Sequence, residues 1–151
     1  MPEIVIADAS CLILLDKIGR LTLLKRCYGK IFITPEIAKE FGDDLPDWVI
    51  TQKPSDKNLL HALEQLVDKG EASALALALE KRNPLLVLDD LKARKVAASM
   101  KLKVTGTLGV IVKAKELGIL KKVKPVLQEL KTADFRVAEN IIQQVLKSCG
   151  E

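Results

Sequence analysis

The chain has 151 residues, 48% of them hydrophobic and 29% charged, with a formal net charge of +4 and a pI near 8.9. That length buries a real core as one domain, residues 1–151, and no compositional break divides it. No window reaches the roughly 18 uninterrupted apolar residues of a membrane span, and Met1-Pro2-Glu3 lacks the basic opening of a signal peptide, so a cytoplasmic location with no membrane partner is expected.

Ile4-Val5-Ile6-Ala7 is a short β-branched run that ends at Asp8, and Ser10 is a favoured N-cap for an apolar helix beginning near Cys11. Asp8 then stands at a strand end, where a turn-forming role and a functional one are equally compatible with the residue. Leu21, Leu23, Leu24 and Cys27 predict a second helix closed by Gly29, and Ile31-Phe32-Ile33 a second strand. Thr34 and Pro35 open a short helix through Phe41 that stops near Gly42. Glu40, in its last turn, reads by itself as a solvated helix residue. Trp48-Val49-Ile50-Thr51 is a short strand or extended edge piece, and Asp56 to Asp68 has helical period, with His61 on its polar flank. No Ser or Cys near His61 has a nucleophile's context.

Gly70 to Glu80 is nearly all Ala and Leu, a strong helix former buried on most sides, with Glu71 in the first turn where the helix dipole favours a carboxylate. After Pro84, Leu85-Leu86-Val87-Leu88 reads as a strand buried on both faces. It runs through Asp89-Asp90 straight into a helix from Leu91 to Met100. One Asp suffices to cap that helix, and a second adds like-charge repulsion, so capping and an acidic site both stay open. Strand-Asp-helix junctions at Asp8 and at Asp89-Asp90 put these acids on the carboxyl-terminal edge of one parallel sheet, the edge where ligands bind. Leu102-Lys103-Val104 is a further strand, and Thr105-Gly106-Thr107-Leu108-Gly109 a polar turn opening a helix from Val110 to Leu117, its N–H groups suited to a phosphate. Helices over Val123–Lys131 and Ala138–Lys147 complete the chain.

Cys11, Cys27 and Cys149 have neither an even count nor metal-ligand spacing, and one His cannot complete a zinc set, so all three read as reduced and structural. The positive charge is spread along the chain, which favours a polyanionic partner without requiring one. With 3% aromatic residues, a stacking platform for single-stranded bases is hard to build, and any nucleic acid would be held mainly by its phosphates.

This order of elements, with acids at Asp8, Glu40, Glu71 and Asp89-Asp90, resembles the PIN domain, a nuclease family of the VapC toxin type. It is closest to the PIN-like branch with a Gly-Glu-Ala helix start, a doubled Asp and a Thr-Gly-Thr turn. Here these are Gly70-Glu71-Ala72, Leu88-Asp89-Asp90 and Thr105-Gly106-Thr107-Leu108-Gly109, and the likeness spans Ile4 to about Leu146. The resemblance implies a three-layer α/β/α fold around a central, mostly parallel sheet. It also implies a divalent-metal-dependent ribonuclease, in the toxin role with an antitoxin protein as partner. It makes Asp8 (with Ser10 close behind), Glu40, Glu71 and Asp90 the catalytic acids, with Asp89 as a neighbour able to share the metal. Glu71 stands where the family commonly has Asp, which keeps the charge and lengthens the arm.

Several carboxylates side by side need a cation to stay ionised, and oxygen donors suit Mg²⁺ or Mn²⁺ over Zn²⁺. The expected ligands are Asp8, Glu71, Asp90 and Asp89, with Glu40 positioning water. Ser10, Thr105 and Thr107 are candidates to orient metal or phosphate, and Lys92, Arg94 and Lys95 to steer RNA. Two other readings are weighed. A PIN-like module that binds RNA or protein without cutting is disfavoured by the retention of all four acids. A receiver-like phosphoacceptor expects an acidic pair after the first strand, where only Asp8 stands. The C-terminal helical region makes the chain a candidate homodimer.

Overall fold

Runs of Val, Ile and Leu too short for helices form the strands, because β-branched side chains fit a pleated surface covered on both faces. They are β1 (Ile4–Ala7), β2 (Ile31–Ile33), β3 (Val49–Thr51), β4 (Pro84–Val87) and β5 (Lys103–Thr105). In the computed structural model, which describes residues 2–151, they pair in parallel in the order β3-β2-β1-β4-β5. Met1, part of the stretch read for a signal region, lies outside the described residues. Ile4 to Ala7 of β1 face Pro84 to Val87 of β4 in register, so Asp8 and Leu88 leave the sheet side by side.

The helices are α1 (Ala9–Lys17), α2 (Thr22–Tyr28), α3 (Pro35–Phe41), α4 (Lys57–Glu64), α5 (Lys69–Leu79), α6 (Leu91–Ser99), α7 (Thr107–Glu116), α8 (Lys124–Thr132) and α9 (Glu139–Ser148). They flank the sheet as a three-layer α/β/α fold, in which α5 packs on β1, β4, α3 and α4 while α2 packs on β2 and α7. Every residue of α5 from Gly70 to Ala78 is buried. Small Ala side chains allow that close approach to the sheet. A second apolar cluster, Ile111, Val123, Val126, Leu127 and Leu130, seats α8, and partly buried Ile142, Val145 and Leu146 of α9 lean on it. Among the described residues no helix is long and apolar enough to cross a membrane.

Several boundaries differ from the sequence reading. Asp8 rather than Ser10 is the N-cap of α1, and no side-chain hydrogen bond caps that helix. The helical pattern of Asp56 to Asp68 ends at Glu64, because Asp68 starts a new helix as the N-cap of α5. Strand β4 stops at Val87, although the Leu88 N–H still bonds to the Thr105 carbonyl at 2.8 Å. Helix α7 begins at Thr107, so Thr107 to Gly109 are helical and not part of a turn. Residues 49–51 form a true edge strand against β2.

Two buried hydroxyls fasten α3 to α5. The Thr34 Oγ1 accepts from the Ile37 N–H at 3.2 Å, capping α3, and shares a 2.6 Å hydrogen bond with Ser73 Oγ. Ser73 in turn donates to the Gly70 carbonyl at 2.7 Å. A buried pair of this kind contributes about 1 kcal/mol, and stranding one member costs about 1–3 kcal/mol. Ser73→Ala should therefore lower stability by about 1–2 kcal/mol in urea unfolding, and Thr34→Ala by more, since it loses the cap as well.

Candidate active site at the strand ends

Asp8 follows the central strand and is only 5% exposed. Its N–H bonds to the Val87 carbonyl at 3.0 Å, which pins the residue against the end of β4. The Ser10 hydroxyl reaches Asp8 Oδ2 at 3.5 Å, the limit of a hydrogen bond. Asp8 Oδ1 is buried with no partner, one of two such side-chain atoms among the described residues. The other, Glu36 Oε2, is in the first turn of α3, where the helix dipole favours a carboxylate. Burial pushes the Asp8 pKa up to about 6, and the charges of Asp68 and Glu40 add to the rise.

Glu71 is 7% exposed and in the first turn of α5. Burial, then the charges of Asp68, Asp8 and Asp90, raise its pKa to about 7. The Glu71 N–H donates to Asp68 Oδ1 at 2.8 Å, and the Asp68 N–H to Glu71 Oε1 at 3.4 Å, a reciprocal capping box. Glu40 is exposed at the end of α3, and burial together with the Asp68 charge raises its pKa too. Asp68, absent from the sequence-derived set, is thus the acid that the other three share as a neighbour. Its signal was present in the chain: Asp-x-x-Glu before an apolar run is the capping-box spacing.

The two aspartates after β4 have different surroundings. Asp90 is the N-cap of α6, its Oδ2 accepting from the Ala93 N–H at 2.9 Å, and its charge is felt at Glu71. Asp89 turns to α7, where Oδ1 accepts from the Thr107 N–H at 2.8 Å and Oδ2 from the Thr107 hydroxyl at 2.5 Å. The carboxylate of Asp89 therefore fills the anion position at the start of α7 that the sequence reading offered to a phosphate. Arg94 Nη1 donates to the Leu88 carbonyl at 3.1 Å, which ties α6 to the end of β4. Thr105 Oγ1 is packed against Gly109. Lys92 and Lys95 are exposed on α6, whereas Arg94 is half-buried. Burial pushes the Cys11 thiol up to about 12, so it stays protonated beneath this edge.

Among the described residues, no three Asp, Glu, His or Cys side chains are arranged to hold a metal ion. Asp68, Glu71, Asp89 and Asp90 are each turned to a donor within the protein. A family model described as DUF3368, a PIN domain, matches residues 4–151. The chain belongs to the PIN domain family. Members of that family are generally nucleases, and the chain has a nuclease-type fold. No curated protein and no solved structure gave a match.

The raised pKa values set the sign of a pH effect. Below about pH 4 these carboxyls are protonated in both folded and unfolded chains and contribute nothing. From there to about pH 7 the folded PIN domain keeps protons that the unfolded chain has released, so its stability falls as pH rises and the loss is complete above the folded pKa values. The metal-free protein should melt higher at pH 5 than at pH 8. Asp8→Asn should raise the melting temperature at pH 8 and flatten the profile, removing a penalty on the order of 2–3 kcal/mol.

Proposed function

We propose that this PIN domain is a divalent-metal-dependent ribonuclease that hydrolyses phosphodiester bonds in RNA. The observation that carries the reading is Asp8. A carboxylate with one oxygen buried and unpaired, raised to a pKa of about 6 amid other acids, is a group that a cation would stabilise. The donor set fits Mg²⁺ or Mn²⁺, being all oxygen. Asp8 and Asp90 would be the ligands, with Glu71 joining when it gives up its long 3.4 Å bond to the Asp68 N–H. Asp90 caps α6 through Oδ2, which leaves the Oδ1 lone pairs for another partner.

A bound divalent ion would neutralise charge on the phosphate and lower the pKa of water. Glu40 and Glu71 would hold that water and take its proton while one P–O ester bond breaks and the leaving oxygen gains a proton. Exposed Lys92 and Lys95 would meet the RNA backbone as counter-charges. A toxin role, with an antitoxin protein as partner, and a homodimer through the C-terminal helices are further parts of the proposal. They rest on the family resemblance and on the exposed α9.

One observation favours a second reading, a PIN module that binds RNA without cutting it: among the described residues no three acids are arranged to hold an ion. Incubation of the purified chain with a mixed RNA pool separates the two. Hydrolysis predicts cleavage with Mg²⁺ or Mn²⁺ that EDTA abolishes, and a loss of roughly a hundredfold for Asp8→Asn or Asp90→Asn. Asn at Asp90 preserves the cap, so that loss would not be a folding effect. Asp89→Asn should cost activity less than Asp90→Asn. The reverse order would move the ligand to Asp89, and RNA retained uncut in every condition would support the binding module.

A further inference from the structure

The first turn of α5 touches two of the acids just assigned. Asp68 caps the turn and shares the capping box with Glu71. The Glu40 carboxylate, arriving from α3, lies directly over Gly70: a Cβ on Gly70 would collide with Glu40 Oε1 and stand 3.0 Å from its Cδ and 3.5 Å from Oε2. Gly70 has no positive φ, so the backbone does not require glycine here. Gly70 is the second residue of α5, where glycine is a weaker helix former than alanine, and what it leaves is room for the end of the exposed Glu40 side chain. The turn is also bolted to the helix that carries Glu40. The Gly70 carbonyl accepts from Ser73, and Ser73 bonds Thr34, the N-cap of α3. The path from Thr34 along α3 to Glu40, over Gly70 to Ser73 and back to Thr34 is closed.

We propose that residues Asp68 to Glu71 are a seat that aims Glu40 and Glu71 toward Asp8, with Gly70 and Asp68 as positioning residues of the site. The inference rests on the metal-dependent reading. Gly70 acts by omission, leaving the volume that the Glu40 carboxylate occupies. Asp68 acts through its cap, which fixes the backbone of Glu71. Asp8 Oδ1, buried without a hydrogen-bond partner on a residue 5% exposed, is the independent observation at this edge: an acceptor that a cation would satisfy.

The test uses the full chain, with Mn²⁺ binding followed by electron paramagnetic resonance and melting followed in EDTA. Gly70→Ala should weaken Mn²⁺ binding about tenfold or more. In EDTA, Gly70→Ala should raise the melting temperature in a Glu40→Ala background, where the collision is gone, and should not raise it in the wild type. Asp68→Ala should weaken Mn²⁺ binding, and Asp68→Asn, which keeps the cap, should restore it. Equal stabilisation by Gly70→Ala in both backgrounds, with wild-type Mn²⁺ affinity, overturns the seat. So does a double variant that fails to fold, because the space at Gly70 would then not belong to Glu40. A wild-type chain that binds no Mn²⁺ overturns the metal reading and the seat with it, a result distinct from tight binding by Gly70→Ala.

Discussion

A carboxylate held out of water with one oxygen unpaired is costly, and Asp8 is fixed in that state by the strand it terminates. Strand β1 is the centre of the sheet, with β2 on one side and β4 on the other, so both neighbours discharge their following segments beside Asp8. From β2 the chain enters α3 and reaches Glu40. From β4 it enters Asp89-Asp90, and α5 feeds Glu71 and Asp68 onto the same edge. Parallel pairing is what makes this unavoidable, because every strand ends at the same side of the sheet. The folding core and the acidic edge are thus one construction: the apolar runs Ile4–Ala7 and Pro84–Val87, paired in register, put the charges where they repel.

The doubled aspartate shows how such an edge divides its work. Two adjacent carboxylates at a strand end point different ways, and here each meets a separate helix start. Asp89 closes the start of α7 through both the N–H and the hydroxyl of Thr107, so the donors of Thr107 itself are taken by a carboxylate of the protein. Asp90 closes α6 with one oxygen and stands close enough to raise the Glu71 pKa. In the proposed enzyme, the exposed Lys92 and Lys95 of α6 would meet the phosphates.

Much of this was legible in the chain because burial and chemistry coincide. Four apolar residues running into two Asp announce a central strand and its exit, and Ala/Leu content announces a helix pressed to the sheet. The PIN likeness rested on those same residues, and the family match covers the span they occupy. What was not legible depended on partners distant in sequence. Thr107 to Gly109 read as a turn because the group that caps α7 comes from Asp89, 18 residues earlier. Val49–Thr51 was ambiguous because an edge strand that is only partly buried carries little apolar signal. Asp68 was passed over as the tail of a helical pattern, although the capping-box spacing to Glu71 was there, and its place beside Asp8 and Glu40 appears only once α3 and α5 are packed together.

Whether this edge binds a divalent cation is decided by melting the wild type and Asp8→Asn at pH 7.5 in EDTA and in millimolar Mn²⁺. A ligand that binds only the folded chain raises its melting temperature, and neutralising the crowded acids should make that rise large. A cation site there should give a clear upward shift with Mn²⁺ in the wild type and little or none in Asp8→Asn, which should already melt higher in EDTA. Equal melting with and without Mn²⁺ in the wild type, together with a destabilised Asp8→Asn, would remove the cation from this edge.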